Sequence, residues 1–133
     1  SSSLPVQDSS PLQIKWADVK RWLARQPNFD PLGRHRIELP SRPIPTMRLL
    51  AEDLSAGRQT GRSKSTANRL FMAADGAGVT AVGDNRFDWT RGDVVAVPAW
   101  TPFHHETSSG GILVEINDEP VKEAFDWYRT LHV

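Results

Sequence analysis

The stretch Gly92-Asp93-Val94-Val95-Ala96-Val97-Pro98-Ala99-Trp100-Thr101-Pro102-Phe103-His104-His105-Glu106-Thr107 decides the fold. It opens on a glycine turn, runs through four apolar residues, stops at Pro98, and resumes as an alternating segment from Phe103. Short runs of the same kind continue on both sides. Residues 46–54, 70–74, 78–82 and 86–89 read as strands before it, and 111–117 as a strand after it. Gly57, Asp75-Gly76, Gly83-Asp84-Asn85, Arg91-Gly92-Asp93 and Gly110-Gly111 punctuate them. Short strands evenly separated by turn residues predict an all-β sandwich or barrel.

Outside this block the texture changes. Trp16, Val19, Lys20 and Leu23 follow a helical period, and Pro27 stops it. After residue 118, Val121, Ala124, Phe125, Tyr128 and Leu131 mark one face of a second helix, with Asp118 as its cap and Pro120 in its first turn. The expected organisation is a flexible Ser- and Pro-rich arm over 1–14, a helix and linker over 15–45, a barrel over 46–117, and a helix over 118–133. The chain starts on Ser1 and not Met, so it is expected to be processed or part of something longer.

Composition narrows the chemistry. The chain has 133 residues, enough for one core. Sixteen Lys and Arg balance 16 Asp and Glu, so no broad positive field favours nucleic acid or an anionic membrane. With no Cys, thiolate metal sites, disulfides and cysteine nucleophiles are excluded. No apolar run approaches the roughly 20 residues of a membrane span, and no signal peptide is visible, so a cytoplasmic location is expected.

Two frames of spacing stand out. In the first, five residues separate Gly57 from Ser63, Lys64 and Ser65 follow, three residues lead to Arg69, and six more to Gly76. In the second, five residues separate Gly92 from Pro98, Ala99-Trp100 follow, two residues lead to Phe103, and three more to Thr107. Residues two apart on a strand share a face, so Ser63, Ser65 and Phe103 are expected to point together into the barrel.

These frames resemble the two motifs of the cupins, which implies a cupin-type jelly-roll β-barrel with one flanking helix at each end. The resemblance implies that positions 63, 65, 69 and 103 stand where a metal-holding cupin has His, His, Glu and His. Here they are Ser63, Ser65, Arg69 and Phe103. A serine hydroxyl is a poor ligand for a transition metal, a phenyl ring is none, and Arg69 adds a positive charge. No metal and no cofactor are therefore expected.

A narrower resemblance rests on Phe87-Asp88-Trp89, the run Arg91 to Trp100, Asn117-Asp118-Glu119-Pro120-Val121 and Tyr128-Arg129. These look like the C-terminal cupin half of gentisate 1,2-dioxygenases and the related salicylate and 1-hydroxy-2-naphthoate dioxygenases. In that family the catalytic Fe(II) belongs to the N-terminal cupin, which has no counterpart here.

The remaining candidates divide between packing and recognition. His105 points inward if Phe103 does; it is a pocket residue first and a fallback metal ligand second. His104 with Glu106 is a surface pair. Among Arg58, Arg62, Lys64 and Arg69, only Arg69 can reach the interior, where it must pair with an acid or meet an anion such as an aromatic carboxylate. Trp89 and Trp100 pack at the core or the mouth, or wall a pocket. Two functions follow. The first is a metal-free cupin with a structural, partner-binding or small-molecule-binding role, partnered by a second copy or another cupin chain. The alternative is an Fe(II)-dependent ring-cleaving dioxygenase, through an atypical site or with iron supplied by a partner cupin.

Overall fold

One long strand organises the molecule. In a computed structural model that describes residues 11–41 and 44–133, Arg69–Val82 is a single 14-residue strand (β4). Two strands with a turn at Asp75-Gly76 were the sequence expectation. The chain instead absorbs those residues in a bulge between Ala73 and Asp75, where the register against the neighbouring strand shifts. Gly76 takes φ 75° there, and a side chain on it would meet the Gly110 carbonyl oxygen at 2.2 Å.

The other elements arrange themselves around β4: α1 (Trp16–Arg25), β1 (His35–Leu39), β2 (Arg48–Leu54), β3 (Ser63–Ser65), β5 (Asn85–Thr90), β6 (Val94–Val97), β7 (Phe103–Glu106), β8 (Gly111–Asn117), α2 (Glu119–Ala124) and β9 (Thr130–His132). The first half of β4 pairs with β8 and β6, the second half with β5 and β7. The main path runs β1-β2-β8-β4-β7-β3-β9, antiparallel wherever strands pair. The result is a sheet curled into a half-barrel with a short helix at each end, the cupin jelly roll that the resemblance implied.

Two apolar clusters hold it. Inside the curl lie Leu54, Phe71, Ala73, Val82, Trp89, Val95, Val97, Phe103 and Leu113. On the outer side of β1 and β2, Val19 and Leu23 of α1 cover Leu39 and Ala51. The helical stripe read from the sequence is thus used, with Trp16 at its exposed edge. The Trp89 indole enters the core because Gly78 and Gly111 leave room; a Cβ on either would stand within 2.9 Å of its ring.

The C-terminal segment corrects the expectation of a helix over 118–133. The helix α2 ends at Ala124, and Thr130–His132 returns as a strand beside β3. The expected helical face is not buried: Phe125 and Leu131 are exposed. The physical reason is a competing backbone partner, since β3 offers a free edge to residues 130–132. Asp118 caps no helix through its side chain; its carboxylate accepts hydrogen bonds from the Asn68 backbone N–H and side-chain amide. The arm expected over residues 1–14 lies outside the described residues up to position 10. No helix of the described residues is long and apolar enough to cross a membrane.

Candidate functional site

Alternation along β3, β4 and β7 turns Ser63, Ser65, Arg69, Phe71, Phe103 and His105 into the curl, and all are buried. Ser63 stands opposite Phe103 in the sheet register. The inward row of β8 is Leu113, Glu115 and Asn117, while Ile112, Val114 and Ile116 face the other way. The polar residues of this strand therefore go inside.

That inversion gives Arg69 its partners. Its Nη1 lies 2.5 Å from Glu115 Oε2 and 2.8 Å from Glu119 Oε1. Its Nη2 donates to Ser65 Oγ at 2.8 Å, and its guanidinium carbon lies 5.7 Å from the centre of the Phe103 ring. A guanidinium thus sits among the motif positions 65, 69 and 103. Asn117 Nδ2 donates to Glu115 Oε2 at 2.6 Å, and Arg36 Nη2 lies 3.2 Å from Glu115 Oε1. Glu119 also binds Arg48, which reaches Glu38 at 2.7 Å. The ion pairs form one line through the barrel wall, Arg36–Glu115–Arg69–Glu119–Arg48.

Charge follows from this geometry. Burial alone would raise the Glu115 carboxyl, but Arg36, Arg69 and the Asn117 amide hold it below its ordinary value. Burial alone would lower the Arg69 guanidinium, but Glu115 and Glu119 push it above its ordinary value. Glu52 behaves differently. Burial raises it to about 7, because Arg36 Nε, its nearest cation, stands 3.9 Å away and offsets only part of the desolvation.

His105 is neutral for the same reason, with burial lowering it to about 3. Its Nδ1 lies 2.8 Å from Thr80 Oγ1, which accepts a hydrogen bond from Trp89 Nε1 at 3.0 Å. Its ring packs edge-on against Phe71 at 4.5 Å between centroids. His104 faces outward and pairs with Glu106 at 2.8 Å. Trp89 is buried in the core, whereas Trp100 is 45% exposed under the Lys64 ammonium, 4.5 Å from its ring. Arg58 lies over Phe29, and Arg62 is exposed. Of that basic cluster only Arg69 enters the barrel.

Trp100, two residues after Pro98 in the second frame, has a glycine-like backbone, with φ 57°. An aromatic side chain in this left-handed region is strained. Its backbone N–H donates to the Ser65 carbonyl at 2.6 Å, which ties the turn to β3.

Glu115, Glu119, Arg36 and Glu52 were not among the sequence candidates. An apolar-inward reading of 111–117 puts Glu115 outside. The available signal was Arg69 itself, because a buried guanidinium requires a carboxylate.

Among the described residues no three His, Asp or Glu side chains are placed to share a metal ion. The four motif positions present two hydroxyls, a guanidinium and a phenyl ring, a set that does not fit iron.

Fold and motif positions define a single cupin domain with its ligand positions substituted. Within that class the chain is similar in sequence to gentisate 1,2-dioxygenases and in fold to a salicylate 1,2-dioxygenase. It is 30% identical over 86 residues to gentisate 1,2-dioxygenase 1 of Aquipseudomonas alcaligenes, covering 65% of this chain and 25% of that protein. It is 32% identical over 85 residues to the gentisate 1,2-dioxygenase of a Haloferax species, covering 64% of this chain and 23% of that one. The chain thus spans about a quarter of the length of the curated relatives it matches. In fold it superposes on salicylate 1,2-dioxygenase from Pseudoaminobacter salicylatoxidans, solved with gentisate, with a TM-score of 0.82 at 23% identity over 90% of this chain and 36% of that one. A cupin-2 domain from Rhodospirillum rubrum matches with a TM-score of 0.59 at 18% identity, over 62% of this chain and 57% of that one. No family model matches the chain.

Proposed function

We propose that this chain works as a metal-free cupin domain in the cytoplasm, serving as a structural or partner-binding unit beside a second copy or another cupin chain. The observation that carries this reading is the Arg69 guanidinium bound to Ser65, Glu115 and Glu119 among the motif's ligand positions. A fixed cation held by two carboxylates repels a metal ion and consumes the acidic groups that would bind one. Metal analysis of the purified chain tests it. Sub-stoichiometric iron, manganese, nickel and zinc are expected; one transition-metal ion per chain overturns the reading.

The partner is supported by the outer face of β4 and β6, where Leu70, Met72 and Val94 are 44–59% exposed. Beside them a groove of about 340 Å³ is lined by Met47, Leu70, Ala96, Val97, Pro98 and Ile116 among others. Exposed apolar patches of this kind mark association surfaces.

Similarity to gentisate 1,2-dioxygenases favours a second reading, in which the domain supports ring cleavage of an aromatic acid with iron held by a partner cupin. Dioxygenase activity on gentisate, appearing only when an iron-bearing cupin chain is added, would support it. An aromatic carboxylate bound at Arg69 would have to displace Glu115 or Glu119.

A further inference from the structure

Two apolar rows cross the outer face of the sheet. Leu39, Leu49, Ile116, Leu70 and Ala96 stand side by side on β1, β2, β8, β4 and β6, and Ile37, Ala51, Val114, Met72 and Val94 form the next row. Residues opposite one another in register share a face. At the β1 end α1 covers the rows through Val19 and Leu23. At the β6 end they stop uncovered, with Leu70, Met72 and Val94 44–59% exposed.

This half of the sheet also ends at β6, whose one strand partner among the described residues is β4. The Ala73 backbone N–H donates to the Asp93 carbonyl at 2.8 Å, which makes 73 and 93 a hydrogen-bonded pair. Such pairs alternate along an antiparallel ladder. Val95 and Val97 therefore turn their backbone groups to β4, and Val94 and Ala96 turn theirs away from it. A groove of about 410 Å³ lies between this edge and β5, lined by Phe87, Asp88, Asp93, Val94, Val95 and Ala96 and by no residue of β4.

Edge strands are normally blunted by charge or by brevity. Here β1 carries His35, Arg36 and Glu38, β5 carries Arg86 and Asp88, and β9 is three residues long. The β6 strand, Val94-Val95-Ala96-Val97, carries no charge. Its groove is acidic instead: Asp88 and Asp93 line it and no basic side chain does. Arg86, on the same strand as Asp88, is held by Glu106 at 2.8 Å. A second copy of β6 would bring the same carboxylates with it, and like charges oppose that pairing; a basic segment is attracted.

We propose that the free edge of β6 takes up an extended segment of another polypeptide as an added strand, with apolar residues at alternate positions and a Lys or Arg for Asp88 and Asp93. The backbone groups of Val94 and Ala96 supply the hydrogen bonds, and the alternate apolar side chains carry the two rows one strand further. The proposal rests on the partner-binding reading and names the partner's chemistry. The two fail separately, because a partner seated on Leu70 and Met72 that leaves the β6 edge free keeps that reading and ends this one.

Amide exchange followed by NMR on the full chain tests it. The probes are the acetylated and amidated peptide Thr-Val-Lys-Val-Thr-Val and its twin with Glu in place of Lys. With the basic peptide, exchange at Val94 and Ala96 is expected to slow by at least about tenfold, while Val95 and Val97, already bonded to β4, stay as they are. The acidic twin is expected to bind at least about tenfold more weakly. Ala96→Pro removes an N–H that faces away from β4, so the chain should fold and its Kd for the basic peptide should rise about tenfold. If that variant does not fold, Asp88→Lys at an exposed position decides, by inverting the preference between the two peptides. No slowing at Val94 and Ala96 at millimolar peptide, or equal binding of the two peptides, would overturn the proposal. So would protection of the same two amides in the chain alone that grows with its own concentration, which would assign the edge to a second copy.

Discussion

Arg69 and Glu115 meet inside the barrel with Nη1 and Oε2 2.5 Å apart, both side chains almost wholly buried. They stand on adjacent strands, two residues out of direct register, since Arg69 faces Asn117 and Glu115 faces Phe71. The diagonal lets the guanidinium also reach Glu119 at the start of α2, so one cation ties β4 to β8 and to the C-terminal helix. Desolvation offsets most of what such a pair contributes, but removing one partner strands the other.

Glu115→Gln is therefore expected to destabilise the fold by about 3–5 kcal/mol, because Arg69 and Arg36 lose a shared anion. The double change Arg69→Met with Glu115→Leu should cost far less than the sum of the single changes. Urea unfolding of the three variants measures the difference; an additive result would mean the pair is not coupled.

Stability should be almost flat in pH over part of the acidic range, for opposing reasons. Glu52 has its folded pKa raised to about 7 from 4.5, so its contribution falls as pH rises between those values. His105 has its folded pKa lowered to about 3 from 6.5, so its contribution rises with pH between those values. The two slopes oppose each other where the windows overlap, between 4.5 and 6.5. Glu52→Gln should uncover the histidine slope, a gain of about 1.4 kcal/mol per pH unit. Thermal or chemical denaturation across this window checks it, and an unchanged flat profile in the variant would contradict the assignment.

Restoring the motif tests the frame. The combined changes Ser63→His, Ser65→His, Arg69→Glu and Phe103→His should create Fe(II) or Ni(II) binding in a chain that still folds by circular dichroism. Metal titration with a folded but inert variant would show that these positions do not converge as the fold places them.

Trp100→Gly should stabilise the chain by about 1 kcal/mol, since it relieves a left-handed aromatic residue at a position where glycine is unstrained. Loss of the Lys64 contact, an exposed cation–π pair of about 0.5–1 kcal/mol, works against part of this gain. A lower denaturation midpoint would mean that the indole contributes more than the backbone strain costs.

The outer face of β4 supplies the last expectation. If a second copy covers Leu70 and Met72, Leu70→Lys with Met72→Lys should convert a dimer to a monomer in light scattering without lowering the denaturation midpoint of the monomer. A parent chain that is already a strict monomer at micromolar concentration would exclude self-association there.

Much of this fold was legible because local rules carry it. The glycines at 57 and 92 take positive φ as their turn roles require, and the alternation of β3 and β7 sends Ser63, Ser65, Phe103 and His105 inward. The substitution of the ligand positions at 63, 65, 69 and 103 was legible from the resemblance of the two frames to the cupin motifs together with the chemistry of the side chains. Sequence by itself also required that Arg69, once inside, meet a negative charge.

Which charge it meets was a tertiary decision. The run Ile112-Leu113-Val114-Glu115-Ile116-Asn117 has its more apolar parity facing outward, because Ile112 packs on the cluster under α1 on that side while Arg36 and Arg69 meet Glu115 on the other. Periodicity records that two faces differ and says nothing of what each face touches. The same limit applies to β4, read as two strands because Asp75-Gly76 has turn chemistry; the bulge and the pairing with Gly111 keep it continuous. It applies again to residues 130–132, where a helical pattern yields to the free edge of β3. In each case the deciding partner lies far along the chain, and only the folded sheet brings it within hydrogen-bonding distance.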